Sequence, residues 1–249
     1  MSGAPGSLRA MVLTLGAMHY AAWGHLLESV RTGTSAFQTV FGAPLFDYLG
    51  RDLEAGNTFN AAMTDFSMLV AHAVLLAYDF SDTGGLVDVG GGCGGLLTSI
   101  MRMYPEMQGT LFDLPAVIAA ADKHLEAAPG AARRSLVPGN FLESVPPGAD
   151  VYLMSGVVHD WDDERALRIL RNCRVGMAPQ GAVLLVESVI PEHGQPSRAA
   201  MFDVNMMVVL TGRERTEEQY RALLAAADLQ LIKVTPIGGG ESLIEARPL

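Results

Sequence analysis

Leu86-Val87-Asp88-Val89-Gly90-Gly91-Gly92-Cys93-Gly94-Gly95 decides how the rest of the chain is read. A short apolar run feeds directly into six residues, five of them glycine, and a helical pattern begins at Leu96. Glycine lets the backbone turn sharply and approach a ligand closely, and the following helix start offers free N–H groups. Outward from this point, short apolar runs recur at residues 110–112, 135–137, 151–154 and 182–186. Helical patterns at 96–103, 115–127 and 164–177 separate them. Strand, crossover helix and strand, repeated in this way, predict an α/β chain with a parallel sheet covered on both faces. Thr216 with Gln219 forms a capping box for a helix to about 227. Residues 229–236 and 242–246 then flank Gly238-Gly239-Gly240 and read as an antiparallel hairpin. Ahead of the sheet, helices are expected at 7–31, 36–49 and 53–78.

Composition narrows the function classes. The 249 residues are 49% apolar and 18% charged, against roughly 25% charged in an average globular chain. A large core follows, and disorder is excluded as the main state. Seventeen basic against 27 acidic residues give −10, which argues against nucleic acid or an anionic membrane as partner. Two cysteines, Cys93 and Cys173, make no disulfide framework, so a reducing cytoplasm is expected. No apolar run reaches the roughly 18 residues of a bilayer span. Residues 10–23 come nearest and are interrupted by Thr14, Gly16, His19 and Tyr20. Residues 191–197 are linker-like, and no internal repeat is present.

The glycine loop leaves two ligands open. Gly90, Gly92 and Gly95 satisfy G-x-G-x-x-G, the fingerprint of NAD-binding Rossmann folds. Asp88, two residues before the first glycine, points the other way. A carboxylate there repels a pyrophosphate but can organise the loop around a cationic ligand without phosphate. S-adenosylmethionine, with its sulfonium and ammonium groups, is such a ligand. Asp113, 25 residues after Asp88, suits either one as an acceptor for ribose hydroxyls, or it caps the helix at Pro115. The terminal hairpin and the lack of a separate substrate domain favour the methyl donor. His159 lies just past the run 151–154, at the C-terminal edge where ligands of open parallel sheets sit. A base titrating near neutrality suits removal of a phenol proton, while capping a helix is the simpler role for such a histidine. Asp162 and Asp163 are expected to open the next helix and complement its positive end. As ligands with His159 and Asp160 they would not converge, so no metal is expected.

Four ordered motifs carry a resemblance. They are residues 86–94 above, Phe112-Asp113-Leu114-Pro115, His159-Asp160-Trp161-Asp162-Asp163 and Gly212-Arg213-Glu214-Arg215-Thr216. His19-Tyr20, Trp23-Gly24-His25-Leu26 and Phe46-Asp47-Tyr48-Leu49 add to them. From about Ser7 onward the chain resembles the O-methyltransferases of the caffeic-acid type, especially actinobacterial members acting on aromatic polyketides. The resemblance implies a Rossmann-like class I sheet of seven strands, mostly parallel, with the hairpin last. It implies S-adenosylmethionine as cofactor and methyl transfer to a phenolic hydroxyl of a natural product.

Residue by residue, the resemblance has Asp113 hold the ribose, with Gly90 and Gly92 facing the methionine part and Asp88 and Ser155 also at the cofactor. The pair after the third strand would hold adenine. Here that pair is Asn140-Phe141, where the family usually has aspartate before the aromatic. Asparagine keeps an acceptor but loses the charge, so weaker cofactor affinity is expected. The resemblance makes His159 the catalytic base, flanked by Glu187, ending the fifth strand, and by Glu214, which fix its tautomer. Met201, Phe202, Met206 and Met207 recur at helical spacing and, with Met154, Trp161 and Asn205, are expected in the acceptor pocket. Packing within a helix core is the competing role for the methionines.

The family also carries a winged-helix-like dimerisation domain ahead of this region. Residues 1–80 then read as a helical lead left from it, and 81–249 as the catalytic domain. A homodimer through the lead, or a separate chain supplying the missing domain, is implied. Family members that bind the methyl donor but support hydroxylation or decarboxylation provide a second reading, and a partner-dependent subunit a third.

Overall fold

Five parallel strands set the architecture of the computed structural model, which describes residues 7–125, 130–192 and 195–249. They are β1 (Gly85–Val89), β2 (Gln108–Asp113), β3 (Arg134–Pro138), β4 (Val151–Ser155) and β5 (Ala182–Ile190). The hairpin β7 (Leu229–Gly238) and β8 (Glu241–Pro248) closes the sheet, β8 lying antiparallel to β5. The order β3-β2-β1-β4-β5-β8-β7 makes seven strands, and a two-residue strand β6 (Arg215–Thr216) pairs with the end of β5. This is the sheet expected from the sequence, with β6 as an addition.

Strands buried on both faces show continuous apolar runs, because alternate side chains serve opposite cores. Val87, Val89, Tyr152, Met154, Val183 and Leu185 face α9 (Asp163–Gly176) and α11 (Glu217–Ala225). Leu86, Val151, Leu153, Leu184 and Val186 face α6 (Leu53–Ala77), α7 (Gly95–Met103) and α8 (Pro115–Leu125). Each fully buried Val or Leu contributes roughly 1.5–3 kcal/mol relative to exposure. The last two residues of the helix expected at 115–127, the first six of the 1–80 lead and residues 193–194 of the linker-like stretch lie outside the described residues.

The lead departs from its expected form. The helix foreseen over 7–31 divides into α1 (Arg9–Thr14), a π-helical turn (Leu15–His19), α2 (Tyr20–Trp23) and α3 (Leu26–Thr32). The stretch 36–49 divides into α4 (Ala36–Phe41) and α5 (Leu45–Arg51). Gly42 at φ +73° ends α4, and Pro44 stands at the start of α5, where its missing N–H costs nothing. Apolar periodicity is blind to such breaks. Met18, Ala22, Phe37 and Leu45 pack on Val208 and Val209 of α10 (Arg198–Val209), so the lead is seated on the helix that precedes the Glu214 motif.

Two sequence readings need correction. α6 is long and apolar enough to cross a bilayer by length and composition, against the expectation that no run reaches such a span. Its Val70, Ala71 and Val74 are buried in the core shared with α7, which is a sufficient use for that apolar face. Glu187 does not end the fifth strand. β5 continues to Ile190, because β8 pairs Ser242 with Glu187 and β6 pairs Arg215 with Val189.

Candidate active site

The glycine loop leaves β1 and enters α7. Gly90, Gly92 and Gly94 have φ of +70°, +59° and +75°, which explains glycine at these three points. Their amides are committed within the protein. Gly90 N–H donates to the Phe112 carbonyl (2.8 Å), Gly94 N–H to Gly91 (2.9 Å), and Gly92 N–H to Asp113 Oδ2 (2.8 Å). These three amides are therefore not offered to a pyrophosphate.

Asp88 is buried beneath the loop, and its Oδ2 has no hydrogen-bond partner. Burial, reinforced by the nearby charge of Asp113, pushes its carboxyl up to about 7. A Cβ on Gly91 would come 2.5 Å from that carboxyl group, so the loop closes directly over the acid. Burial also raises Asp113, against the amides of Gly92 and Leu114 that hold its carboxylate. Two acids under and beside the loop suit a cationic ligand with ribose hydroxyls. S-adenosylmethionine fits that chemistry.

The loop borders the histidine turn. A Cβ on Gly90 would meet Val157 Cγ2 at 2.9 Å and Phe141 Cε1 at 3.5 Å. Val157 leads into the turn Val158–Asp160 that carries His159. Glu187 sets this turn: its Oε1 accepts the N–H groups of Val157 (3.1 Å) and Val158 (2.8 Å). Its Oε2 lies 3.2 Å from His159 Nδ1, and Glu214 Oε1 lies 3.0 Å from the same nitrogen. Glu214 is itself held, its N–H donating to Asp203 Oδ1 at 3.0 Å. His159 Nε2 is 3.4 Å from Asp160 Oδ1 and lies beside Gly156 at the end of β4.

Burial works against charge on His159, but Glu187, Glu214 and Asp160 together raise its pKa well above the ordinary 6.5. Burial raises Glu187 to about 7 and Asp160 to about 6, in both cases against the pull of His159. His159, Glu187 and Glu214 offer ligand atoms within 4.8 Å of one another, the donor types of a cation site. A proton on Nδ1 directed at Glu214 Oε1, with Glu187 Oε2 within ion-pair distance, accounts for the same convergence. It leaves Nε2 as the basic nitrogen.

The other candidates are distributed as follows. Trp161 is stacked with Phe46 (centroids 6.2 Å apart) and meets Phe141 edge-on (5.8 Å), with its indole N–H unpartnered. Asn140 Oδ1 accepts the N–H of Leu142 at 3.0 Å, an Asx turn within its own loop. Ser155 Oγ at the end of β4 is buried and unpartnered. Asn205 Oδ1 accepts from Trp23 Nε1 (2.9 Å) and faces His19 Nδ1 (3.1 Å), so it ties the lead to α10. Met206 and Met154 are buried, the latter inside the sheet core. Phe202 is half-buried under Arg198, and Met201 is 62% exposed, apart from the others.

Asp162 caps α9 through the Arg165 N–H, but Asp163 pairs with Arg213 and Arg215 in addition to opening the helix. Phe46, Asp203, Arg215 and the π-helical His19 had not been counted as site residues. All except Asp203 lie inside the quoted motifs, and that was the available signal. Their burial and partners come from contacts distant in sequence.

An O-methyltransferase domain family matches residues 23–230. Phenazine O-methyltransferase of Lysobacter antibioticus is 43% identical over 248 residues, covering 100% of this chain and 73% of that protein. 3-Amino-4-hydroxybenzoate 4-O-methyltransferase of Streptomyces cremeus is 43% identical over 238 residues, covering 95% and 65%. Among solved structures, human N-acetylserotonin methyltransferase in complex with SAM superposes with a TM-score of 0.92 at 30% identity, covering 100% of this chain and 72% of that one.

Proposed function

The chain belongs to the O-methyltransferase domain family, whose cofactor is S-adenosylmethionine, and from that premise we propose that it methylates a phenolic hydroxyl of an aromatic natural product. The observation that carries this reading is His159, held at Nδ1 by two buried carboxylates beside the glycine loop. When bound, S-adenosylmethionine supplies a methyl group already activated on a sulfonium. The chain's own residues must align the acceptor and remove its proton. Nδ1 keeps its proton because Glu187 and Glu214 face it, and Nε2 takes the proton of the acceptor hydroxyl. Glu187, close to neutrality itself, stabilises the imidazolium that results.

Asp88, Gly90, Gly92 and Asp113 would hold the methionine and ribose parts, with Asn140 and Phe141 at adenine and Ser155 alongside. Phe46, Trp161, Phe202 and Met206 supply flat apolar surface for a planar ring. The two curated relatives act, by their names, on a phenazine and on an aminohydroxybenzoate, and a planar acceptor of that class is proposed here. The chain spans 73% and 65% of those relatives. Residues 81–249 are proposed as the catalytic domain. Tyr20 (80% exposed), Val12 (64%) and Val30 (62%) favour a homodimer through the lead, which light scattering would test. Both cysteines are free, which suits the proposed cytoplasmic location.

The deciding experiment incubates the protein with methyl-labelled S-adenosylmethionine and either 3-amino-4-hydroxybenzoate or a hydroxyphenazine. Mass spectrometry is expected to find label in a methyl ether. His159→Ala should lower turnover roughly 10²–10⁴-fold with donor binding retained. Full turnover in that variant would overturn the base, and a hydroxylated or decarboxylated product without label would overturn methyl transfer.

A further inference from the structure

Arg215 is fully buried, and no step so far uses it. All five of its N–H donors are engaged. Nε and Nη2 both reach Asp163 Oδ1, at 3.1 and 2.8 Å. Nη1 donates to the carbonyls of Val158 and Arg213, each at 3.2 Å, and Nη2 to that of Trp161 at 3.0 Å. The Val158 and Trp161 carbonyls bracket His159, and the Arg213 carbonyl belongs to the peptide leading into Glu214. One guanidinium therefore binds both sides of the His159–Glu214 contact. The backbone between them is equally close: a Cβ on Gly212 would fall onto the carbonyl oxygen of His159.

We propose that Arg215 is the positioning residue of the base, a planar fork that fixes the His159 turn and the Glu214 segment in one frame. Only a guanidinium fits this role, because three separate nitrogens make the five contacts to three carbonyls and one carboxylate. An ammonium offers three donors on a single atom and cannot span them. Asp88, Gly90, Gly92 and Asp113, proposed for the methionine and ribose parts of the donor, stand at the ends of β1 and β2, and Arg215 bonds to none of them. Loss of Arg215 therefore disturbs the orientation of His159 and leaves cofactor binding in place. This inference rests on the reading of His159 as the base.

The test compares Arg215→Ala and Asp163→Asn with the parent chain. Nitrogen-15 histidine NMR reads the hydrogen-bonded Nδ1–H of His159, assigned by its disappearance in His159→Asn. S-adenosylhomocysteine titration reads the donor site, and 3-amino-4-hydroxybenzoate with labelled donor reads turnover. In Arg215→Ala, S-adenosylhomocysteine affinity should stay within about threefold, while the His159 Nδ1–H signal broadens or vanishes. Turnover should fall about 100-fold, and added guanidinium should restore both signal and turnover in part. Asp163→Asn, which leaves the carbonyl contacts, should show a smaller change of the same kind. An unaltered His159 signal in folded Arg215→Ala overturns the proposal. If that variant does not fold, an unaltered signal in Asp163→Asn does so. Turnover retained by His159→Asn would instead overturn the base and leave the positioning result standing.

Discussion

Glu187 Oε2 stands 3.2 Å from His159 Nδ1 while Oε1 of the same carboxylate accepts the Val158 N–H at 2.8 Å. A single buried group thus holds both the His159 ring and the backbone that carries it. The arrangement also sets the direction of several measurable responses.

The pH–rate profile follows from the charges around the ring. Burial disfavours the imidazolium, but Glu187, followed by Glu214 and Asp160, raises His159 well above 6.5. With His159 as the proposed base, turnover needs the neutral ring, so kcat/KM should fall as pH drops through a midpoint above that value. Glu187→Gln removes one negative charge, weakens the imidazolium and moves this acid limb to lower pH. The glutamine Oε1 still accepts the Val157 and Val158 amides, but its NH2 places a donor opposite His159 Nδ1, so kcat at high pH should drop roughly 10²-fold. A limb that does not move would show that another group controls it.

Asp88 governs stability in the absence of ligand. Its carboxyl is raised from 3.8 to about 7 by burial and by Asp113, so the folded chain holds a proton that the unfolded chain releases. Stability is therefore fully present below about pH 4 for this group and declines as pH rises towards 7. Asp88→Asn should remove that decline and stabilise the protein at neutral pH by a few kcal/mol at most. The same variant should bind S-adenosylmethionine more weakly. Urea unfolding at pH 5 and pH 8, with and without donor, reads both effects.

Gly212→Ala tests the close approach of the two loops. The added Cβ would strike the backbone of His159 and Asp160, which cannot yield as a flexible side chain would. Destabilisation of roughly 1–3 kcal/mol is expected, with a loss of turnover larger than the loss of donor affinity. Thermal unfolding and S-adenosylhomocysteine titration separate the two.

Asn205 joins the lead to α10. Its Oδ1 accepts from Trp23 and faces His19, and burial of that histidine lowers its pKa despite the asparagine bond. Asn205→Ala strands the Trp23 donor and should cost about 1–3 kcal/mol. Hydrogen exchange should rise in α1 to α4 and remain unchanged in β1 to β5. Uniform exchange across the chain would show that the lead does not depend on this contact.

How much of this was legible in the sequence depends on the range of the interaction. The strands and the glycine loop were readable because burial on both faces forces apolar runs and positive φ forces glycine. Asp113 and His159 stood out because they follow strand ends, and Glu214 only through the motif that carries the resemblance. Arg215 did not, since its burial depends on carbonyls 54 to 57 residues away, beyond any periodicity. The breaks at Leu15–His19 and Gly42 were hidden because local turns leave the apolar pattern intact. The extension of β5 past Glu187 arises from pairing with β6 and β8, which no single strand announces.

Asn140 offers the last test, since it stands where the family usually has aspartate. Its Oδ1 accepts the Leu142 N–H at 3.0 Å, and its Nδ2 reaches Glu143 Oε1 at 3.4 Å. Asn140→Asp keeps the first bond, because a carboxylate accepts it equally well, and exchanges the second for repulsion from Glu143. That repulsion is solvent-screened and should cost about 0–1 kcal/mol of stability. Against this, a charged acceptor strengthens a hydrogen bond from the adenine amino group about twofold in energy. Affinity for S-adenosylhomocysteine should therefore rise about five- to tenfold, with turnover little changed at saturating donor. Calorimetric titration of the two proteins decides the matter. Equal affinities would restrict Asn140 to shaping its loop and leave adenine recognition to Phe141 and its neighbours.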